Sequence, residues 1–313
     1  MLAMRRWVGI LGALAERSSV AHIIDPSEVA KEFRRIVRER VASLGRPLKL
    51  VGFLAAEAGP SKTYADYTRI GCEDVGIDFE LRCAGKLEIE EAIEAANADQ
   101  AVAGIIVYYP IFGTEHDRYI NDLVVPEKDI EGLNSYWARK LYHNQRYVDP
   151  ARTKKAILPC TPLAIVKLIE VAGVLQTNPE GPLSGKTITI FNRSEVVGRP
   201  LASMLANDGA DVYSFDIDGP LLFKKQHVVA TSATRAEALA RADVVITGVP
   251  SRSFPLVTPE EIRPGSLCIN FSTLRNFAPG IESQAGVFIP RVGPMTVAMA
   301  LRNTLRLFDN YHS

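Results

Sequence analysis

Two α/β domains with mostly parallel sheets, the last helix returning to the first domain, are predicted by three observations. The chain has 313 residues, 47% of them hydrophobic, which suits about two domains and a large buried core. Short apolar runs alternate with amphipathic stretches, as strands joined by helices do in a parallel sheet. The run from Thr187 to Asp216 reads as strand, tight polar turn, helix, strand and terminal acid, the order of a Rossmann-type βαβ unit.

Asp25-Pro26-Ser27 opens a helix over residues 28–43, with Val29, Phe33, Ile36, Val37 and Val41 near helical spacing and Gly45 past its end. Residues 49–54 form a buried strand, 63–75 a helix, 87–98 a second helix, and 104–109 another buried strand that stops at Pro110. Pro126, Gly132, Asn134, Asn144 and Pro150 punctuate a loop-rich region over 125–158, where a first domain can end. A helix from Thr161 through Val171 leads into the βαβ unit. Residues 242–248 and 266–271 add two buried strands, making a compact four-stranded second sheet. Residues 294–312 form an amphipathic helix too late in the chain to join that sheet, so it crosses back. The expected division is 1–158 with 294–313 against 159–293.

Thirty-six basic and 36 acidic side chains leave no net charge, so neither a nucleic-acid partner nor an anionic membrane is expected. Cys72, Cys83, Cys160 and Cys268 are far apart and form no Cys/His cluster, which argues against a disulfide framework or a metal site and fits a reducing compartment. Residues 1–19 carry Arg5, Arg6 and an apolar run from Trp7 to Ala15 that is too short to span a membrane. They read as a mitochondrial leader or an irregular extension; a cytoplasmic location is the expectation, the mitochondrion the alternative.

The polar turn departs from G-x-G-x-x-G: Gly198 is its one glycine, with Asn192 and Ser194 where small residues allow backbone approach. Asn tolerates the left-handed backbone of a sharp turn, and Ser194 can cap the following helix while facing a phosphate. Asp216 follows at roughly the 20-residue distance of a ribose-binding acid, and a carboxylate there repels a 2′-phosphate, favouring NAD over NADP. Arg193, Lys224 and Lys225 are cations that can accept that phosphate instead. On local pattern alone, the segment fits a dinucleotide site or an ordinary βαβ unit with a polar connection.

Other chemistry-bearing groups stand at strand ends and helix starts, where open α/β sheets bind ligands. They include Ser61-Lys62-Thr63-Tyr64 before Gly71-Cys72-Glu73-Asp74-Val75-Gly76, the run Pro126-Glu127-Lys128-Asp129-Ile130-Glu131-Gly132, and Pro159-Cys160-Thr161-Pro162. With Arg193-Ser194-Glu195-Val196-Val197-Gly198-Arg199-Pro200 and Val292-Gly293-Pro294-Met295-Thr296-Val297-Ala298-Met299, these runs resemble the methylenetetrahydrofolate dehydrogenase family from about Ile24 onward. The resemblance implies an N-terminal α/β folate-binding domain, a Rossmann NAD-binding domain, a homodimer, and a place in the one-carbon metabolism that feeds purine synthesis. Bifunctional relatives carry a Lys four residues after the Tyr, needed for the cyclohydrolase step; Thr68 stands there. Tyr108 replaces a Gln, Glu131 an Asp, and Asn192 a Gly, replacements that look like the monofunctional, NAD-dependent, fungal-type branch.

Transfer of hydride from the methylene bridging N5 and N10 leaves a methenyl cation and needs no proton taken from carbon, so the site must position the reacting carbons and stabilise positive charge. Hydrolysis of that cation moves protons and calls for an acid/base group such as Lys. By resemblance, Tyr64 stacks on the substrate or merely packs, and Tyr108 touches the substrate or forms wall. Glu131 and Cys160 are the implied catalytic residues, Glu131 hydrogen-bonding the pterin and Cys160 lying beside the cofactor, and Thr68 lines the substrate site. Thr161, Asn192, Arg193, Ser194, Val197, Gly198, Asp216, Ile217, Gly248, Val249, Pro250, Asn270 and Thr296 are the expected NAD contacts. Phe288-Ile289-Pro290-Arg291 replaces a glycine-rich run with a bulkier loop, Arg291 reaching the folate's glutamate tail or standing exposed.

Overall fold

The computed structural model describes residues 21–55 and 59–312; the leader reading for 1–19 lies outside them. The chain divides into two compact units, one from Glu28 to Cys160 plus the segment from Pro294, the other from Thr161 to Gly293 plus residues 21–27.

In the first unit, Lys49–Leu54 is the middle strand of a three-stranded parallel sheet between Asp78–Cys83 and Val102–Tyr108. The apolar runs Lys49–Leu54 and Val102–Tyr108 are buried almost throughout. Asp78–Cys83 is an edge strand whose Phe79, Leu81 and Cys83 alternate with Asp78, Glu80 and Arg82, the period of a half-buried strand that a search for continuous apolar runs passes over. Helix Pro26–Ala42 buries Val29, Val37 and Val41, while Ile36, one position off that four-residue spacing, is 46% exposed and not part of the face expected to hold it.

Helix Gly293–Leu307 packs into this unit against helix Pro60–Val75. A Cβ at Gly71 would lie 2.8 Å from Val297 Cγ1, so the two helices approach through a glycine. The region over 125–158 is not loop alone: Asn134 caps helix Ser135–Tyr142 through Tyr136 N, and Trp137 of that helix is fully buried.

The second unit is larger than the four strands expected. Its eight-stranded sheet runs His22–Ile23, Val287–Ile289, Leu267–Asn270, Val244–Thr247, Thr187–Phe191, Asp211–Asp216, Gly219–Lys224, His227–Ala230. Pairing is parallel from His22–Ile23 to Asp211–Asp216, and the last two strands add antiparallel. The hairpin was hidden by its half-exposed side chains. Residues 21–27, expected in the first domain, belong to this unit: His22 and Ile23 pair with Val287 and Phe288 at the sheet edge.

The segment expected as a bulkier loop, 288–291, is strand in its first half, and Arg291 stands exposed, the second of its two expected states. Phe288 is a core residue of its strand, edge-to-face with Phe277, and Arg291 donates to Asp25 Oδ1 and Ser27 Oγ. Among the described residues, no helix is long and apolar enough to cross a membrane, and no three His, Cys, Asp or Glu side chains are grouped to hold a metal.

Candidate functional site

The first unit gathers Tyr64, Thr68, Tyr108, Glu131 and Cys160. Tyr64 and Thr68 stand one turn apart on helix Pro60–Val75, the spacing that places side chains on a common face. Tyr108 ends the strand Val102–Tyr108, its ring 5.4 Å from that of Tyr64 in an edge-to-face arrangement. The Tyr64 hydroxyl reaches Glu131 Oε1 at 3.5 Å, a long contact at the limit of hydrogen bonding.

The loop bearing Glu131 is rigid for reasons its sequence spells out. Asp129, buried, accepts from Glu131 N, Gly132 N and Asn134 N at 3.0, 2.9 and 2.8 Å, folding the loop around one carboxylate. The Lys128 ammonium donates to the carbonyls of Ala96, Asn97 and Asp99, closing the C-terminal end of helix Ile89–Ala98. Gly132 takes φ 67°, and a Cβ there would press on Leu158 and Pro159 at 3.0–3.1 Å. Lys128 and Asp129 thus build the loop and present Glu131.

Burial pushes the Glu131 carboxyl up to about 8, with the Asp129 charge adding to the rise and Tyr64 opposing it. Burial likewise raises Asp129 to about 6 against its backbone donors. The Tyr64 phenol is held well above its ordinary value by burial first and Glu131 second. Tyr108 is 1% exposed and its hydroxyl is buried without a hydrogen-bond partner; burial raises its pKa, and the nearby Thr68 hydroxyl, committed to Tyr64 O, offsets only part of that rise. A small cavity lined by Tyr109, Asn121, Asp129, Glu131 and Leu133 opens beside Glu131.

Cys160 is 4% exposed, and its thiol donates to Ile130 O at 3.3 Å. Burial holds it far above the ordinary thiol range, so it is a neutral group supporting the Glu131 loop rather than a nucleophile. Asn303, which sequence reasoning missed, donates to the same carbonyl from the C-terminal helix.

The second unit holds the polar turn. Asn192 has φ 154°, its Nδ2 donates to Gly248 O at 2.9 Å, and its Oδ1 accepts from Ser194 N and Oγ. Ser194 Oγ in turn accepts from Val197 N at 3.3 Å and Gly198 N at 3.4 Å, although the helix Gly198–Asn207 is preceded by Val197 as its capping position. A Cβ at Gly198 would sit 2.2 Å from Asn192 O, so only glycine lets the helix start lie against the turn.

Asp216 ends its strand exposed, with Oδ2 accepting from Arg193 N at 2.6 Å and Oδ1 from Ile217 N at 2.7 Å. Arg193 lies back over the hairpin, donating to Ser214 O and Gly219 O, so its guanidinium is already bound. Lys224 pairs with Asp211. The Ile217 side chain is 97% exposed.

Gly248 is forced, since a Cβ would meet the Phe271 ring at 1.9 Å. Val249 is fixed by Asn276, which accepts from its N–H and donates to its carbonyl; Pro250 beyond it is exposed. Asn270 is 6% exposed, and its amide donates to Ser272 O, Leu274 O and Pro290 O, tying these loops together. Thr161 begins this unit, while Thr296 lies in the first unit, 8% exposed in the C-terminal helix. An exposed glycine-closed turn and an anchored strand-end acid fit a dinucleotide with a free 2′-hydroxyl.

Comparison with known proteins bears on both units. The sequence model for the tetrahydrofolate dehydrogenase/cyclohydrolase catalytic domain matches residues 24–131, and that for the NAD(P)-binding domain of the same family matches 159–312. The methylenetetrahydrofolate dehydrogenase [NAD(+)] of Schizosaccharomyces pombe is 43% identical over 304 residues, covering 94% of this chain and 95% of its own. A bifunctional FolD protein of Staphylococcus carnosus is 27% identical, with 91% of this chain and 96% of its own covered. The structure of the NAD-dependent 5,10-methylenetetrahydrofolate dehydrogenase of Saccharomyces cerevisiae superposes with a TM-score of 0.86 at 40% identity, covering 94% of this chain and 98% of that one.

Proposed function

The chain belongs to the tetrahydrofolate dehydrogenase/cyclohydrolase family, and from that premise we propose that it oxidises 5,10-methylenetetrahydrofolate to the 5,10-methenyl form with NAD, without hydrolysing the product. One observation carries the second half: the position one turn after Tyr64 holds Thr68, a fully buried hydroxyl bonded to its own helix, where the hydrolytic step needs a proton-transferring ammonium.

NAD, when bound, would supply the acceptor for the hydride. Asn192, Ser194 and Gly198 would form the turn for its pyrophosphate, and Asp216 would take the ribose hydroxyls. With Arg193 committed to two backbone carbonyls, a 2′-phosphate would meet the Asp216 carboxylate rather than a free guanidinium, which supports NAD over NADP. On the folate side, Tyr64 and Tyr108 offer ring surfaces, and Glu131 offers a carboxylate to the pterin's N–H groups and to the growing cation. A lysine at position 68 would set a like charge beside that cation, opposing it by up to about 4 kcal/mol at 4 Å and intermediate dielectric.

Mixing purified protein with the folate substrate and NAD tests the reading: absorbance of NADH must rise, and failure to reduce NAD overturns it. The same reading includes a homodimer and a cytoplasmic enzyme. Edge strand His227–Ala230, with Val228 and Val229 about half exposed, supports a second copy at that edge, to be checked by light scattering. Fractionation of cells making the full chain tests the location, mitochondrial recovery being the contrary result.

A further inference from the structure

The C-terminal helix contributes one side chain whose bonding is unlike that of its neighbours. Asn303 is fully buried, and its Nδ2 donates to Ile130 O and Leu158 O, both at 2.9 Å, with Cys160 Sγ a longer 3.6 Å away. Its Oδ1 is buried with no partner. An unsatisfied buried acceptor costs stability, and an apolar side chain of that size would avoid it. What the amide contributes is geometry.

Ile130 N donates to Ile105 O of the central sheet, and Ile130 O receives both Asn303 Nδ2 and the Cys160 thiol. The residue before Glu131 is therefore held from both sides, by the sheet through its N–H and by the C-terminal helix through its carbonyl. Asp129 fixes the following N–H groups.

We propose that Asn303 is a positioning residue for the dehydrogenation, setting the placement of Glu131 through the Ile130 carbonyl; the inference rests on the functional reading above. It does not touch the reacting atoms. Its loss displaces a carboxylate whose contact with substrate depends on sub-ångström placement.

Asn303→Leu and the milder Asn303→Ser test this, alone and combined with Glu131→Gln. In the wild-type background, kcat/KM for the folate should fall about tenfold or more, while KM for NAD holds. With Glu131→Gln already present, the further loss should shrink below about threefold, because coupled residues do not add. Alkylation of the native protein, read by mass spectrometry, should become faster at Cys160 while the equally buried Cys72 and Cys268 stay protected. Thr304→Val, a buried neighbour whose hydroxyl bonds only its own helix at Ala300 O, should leave the kinetics unchanged.

Unchanged kinetics in a folded Asn303 variant overturn the proposal. So do losses that multiply with Glu131→Gln, or equal loss of protection at all three buried cysteines, which marks general loosening. If Asn303→Leu does not fold, Asn303→Ser carries the same comparisons. Absence of NAD reduction by the wild-type protein overturns the functional reading and the proposal together; turnover by the wild type with no effect at Asn303 overturns the proposal alone.

Discussion

Thr68 Oγ1 donates to Tyr64 O at 2.9 Å, one turn back on the same helix, so the hydroxyl at this position is occupied by its own backbone. Thr68 is fully buried, beside the orphaned Tyr108 hydroxyl. Thr68→Lys therefore buries an ammonium with no carboxylate partner assigned to it. Chemical denaturation should show a loss of about 3 kcal/mol, and NAD reduction should slow. Adding Tyr108→Gln, whose amide oxygen can accept from the ammonium, should recover part of the stability; no recovery would remove Tyr108 from that neighbourhood.

Glu131 ties stability to pH. Its carboxyl titrates at about 8 in the folded chain against 4.5 ordinarily, so the folded state holds an extra proton between those values. The stability this group contributes is full below pH 4.5 and lost as the pH rises through 8. Asp129, at about 6, acts in the same sense over a lower window and is unaltered by the substitution. Glu131→Gln should accordingly melt closer to the wild type at pH 5 and above it at pH 9, while turning over more slowly at both. Parallel melting curves would place the Glu131 carboxylate in solvent.

The same titration appears in the kinetics. Glu131 must be ionised to stabilise the cation, so kcat/KM should rise with pH toward a plateau above about 8. In Glu131→Gln that limb should vanish.

Gly198→Ala places a methyl group 2.2 Å from Asn192 O and 2.5 Å from Asn192 Oδ1. Relief requires the turn to move, at a cost of about 1–3 kcal/mol. KM for NAD should rise with KM for the folate unchanged; equal changes in both would show that the turn does not serve the cofactor alone.

Asp216→Ser removes the carboxylate that accepts from Arg193 N and Ile217 N. The ratio of kcat/KM for NAD over NADP should shrink about tenfold, as one charge-assisted hydrogen bond is worth roughly 1.5–3 kcal/mol. An unchanged ratio removes Asp216 from the ribose site.

Legibility in the sequence followed burial. Lys49–Leu54 and Val102–Tyr108 announced themselves as apolar runs because both are covered on their two faces, every residue but Lys49 being buried. Asp78–Cys83, Gly219–Lys224 and His227–Ala230 lack such buried runs: the first alternates polar with apolar residues, and the hairpin strands are short apolar stretches left partly or fully exposed. His22–Ile23 is only two residues long, and pairing with a strand from the far end of the chain is invisible to local pattern. Within the site, Tyr64, Thr68, Tyr108, Glu131 and Cys160 were readable as motif positions. Asn303 was not, because its partners are carbonyls 173 and 145 residues away, a relation that carries no side-chain signature. Asn276 is hidden for the same reason: it fixes Val249 through the main chain.

The central claim, hydride transfer to NAD without hydrolysis, is tested most directly by following two absorbances in one experiment. Purified protein is given 5,10-methylenetetrahydrofolate with NAD or NADP, and separately the methenyl product alone. NADH should form faster than NADPH, and the methenyl compound should decay no faster than in buffer. Faster reduction of NADP, or enzyme-dependent decay of the methenyl compound, would contradict the account.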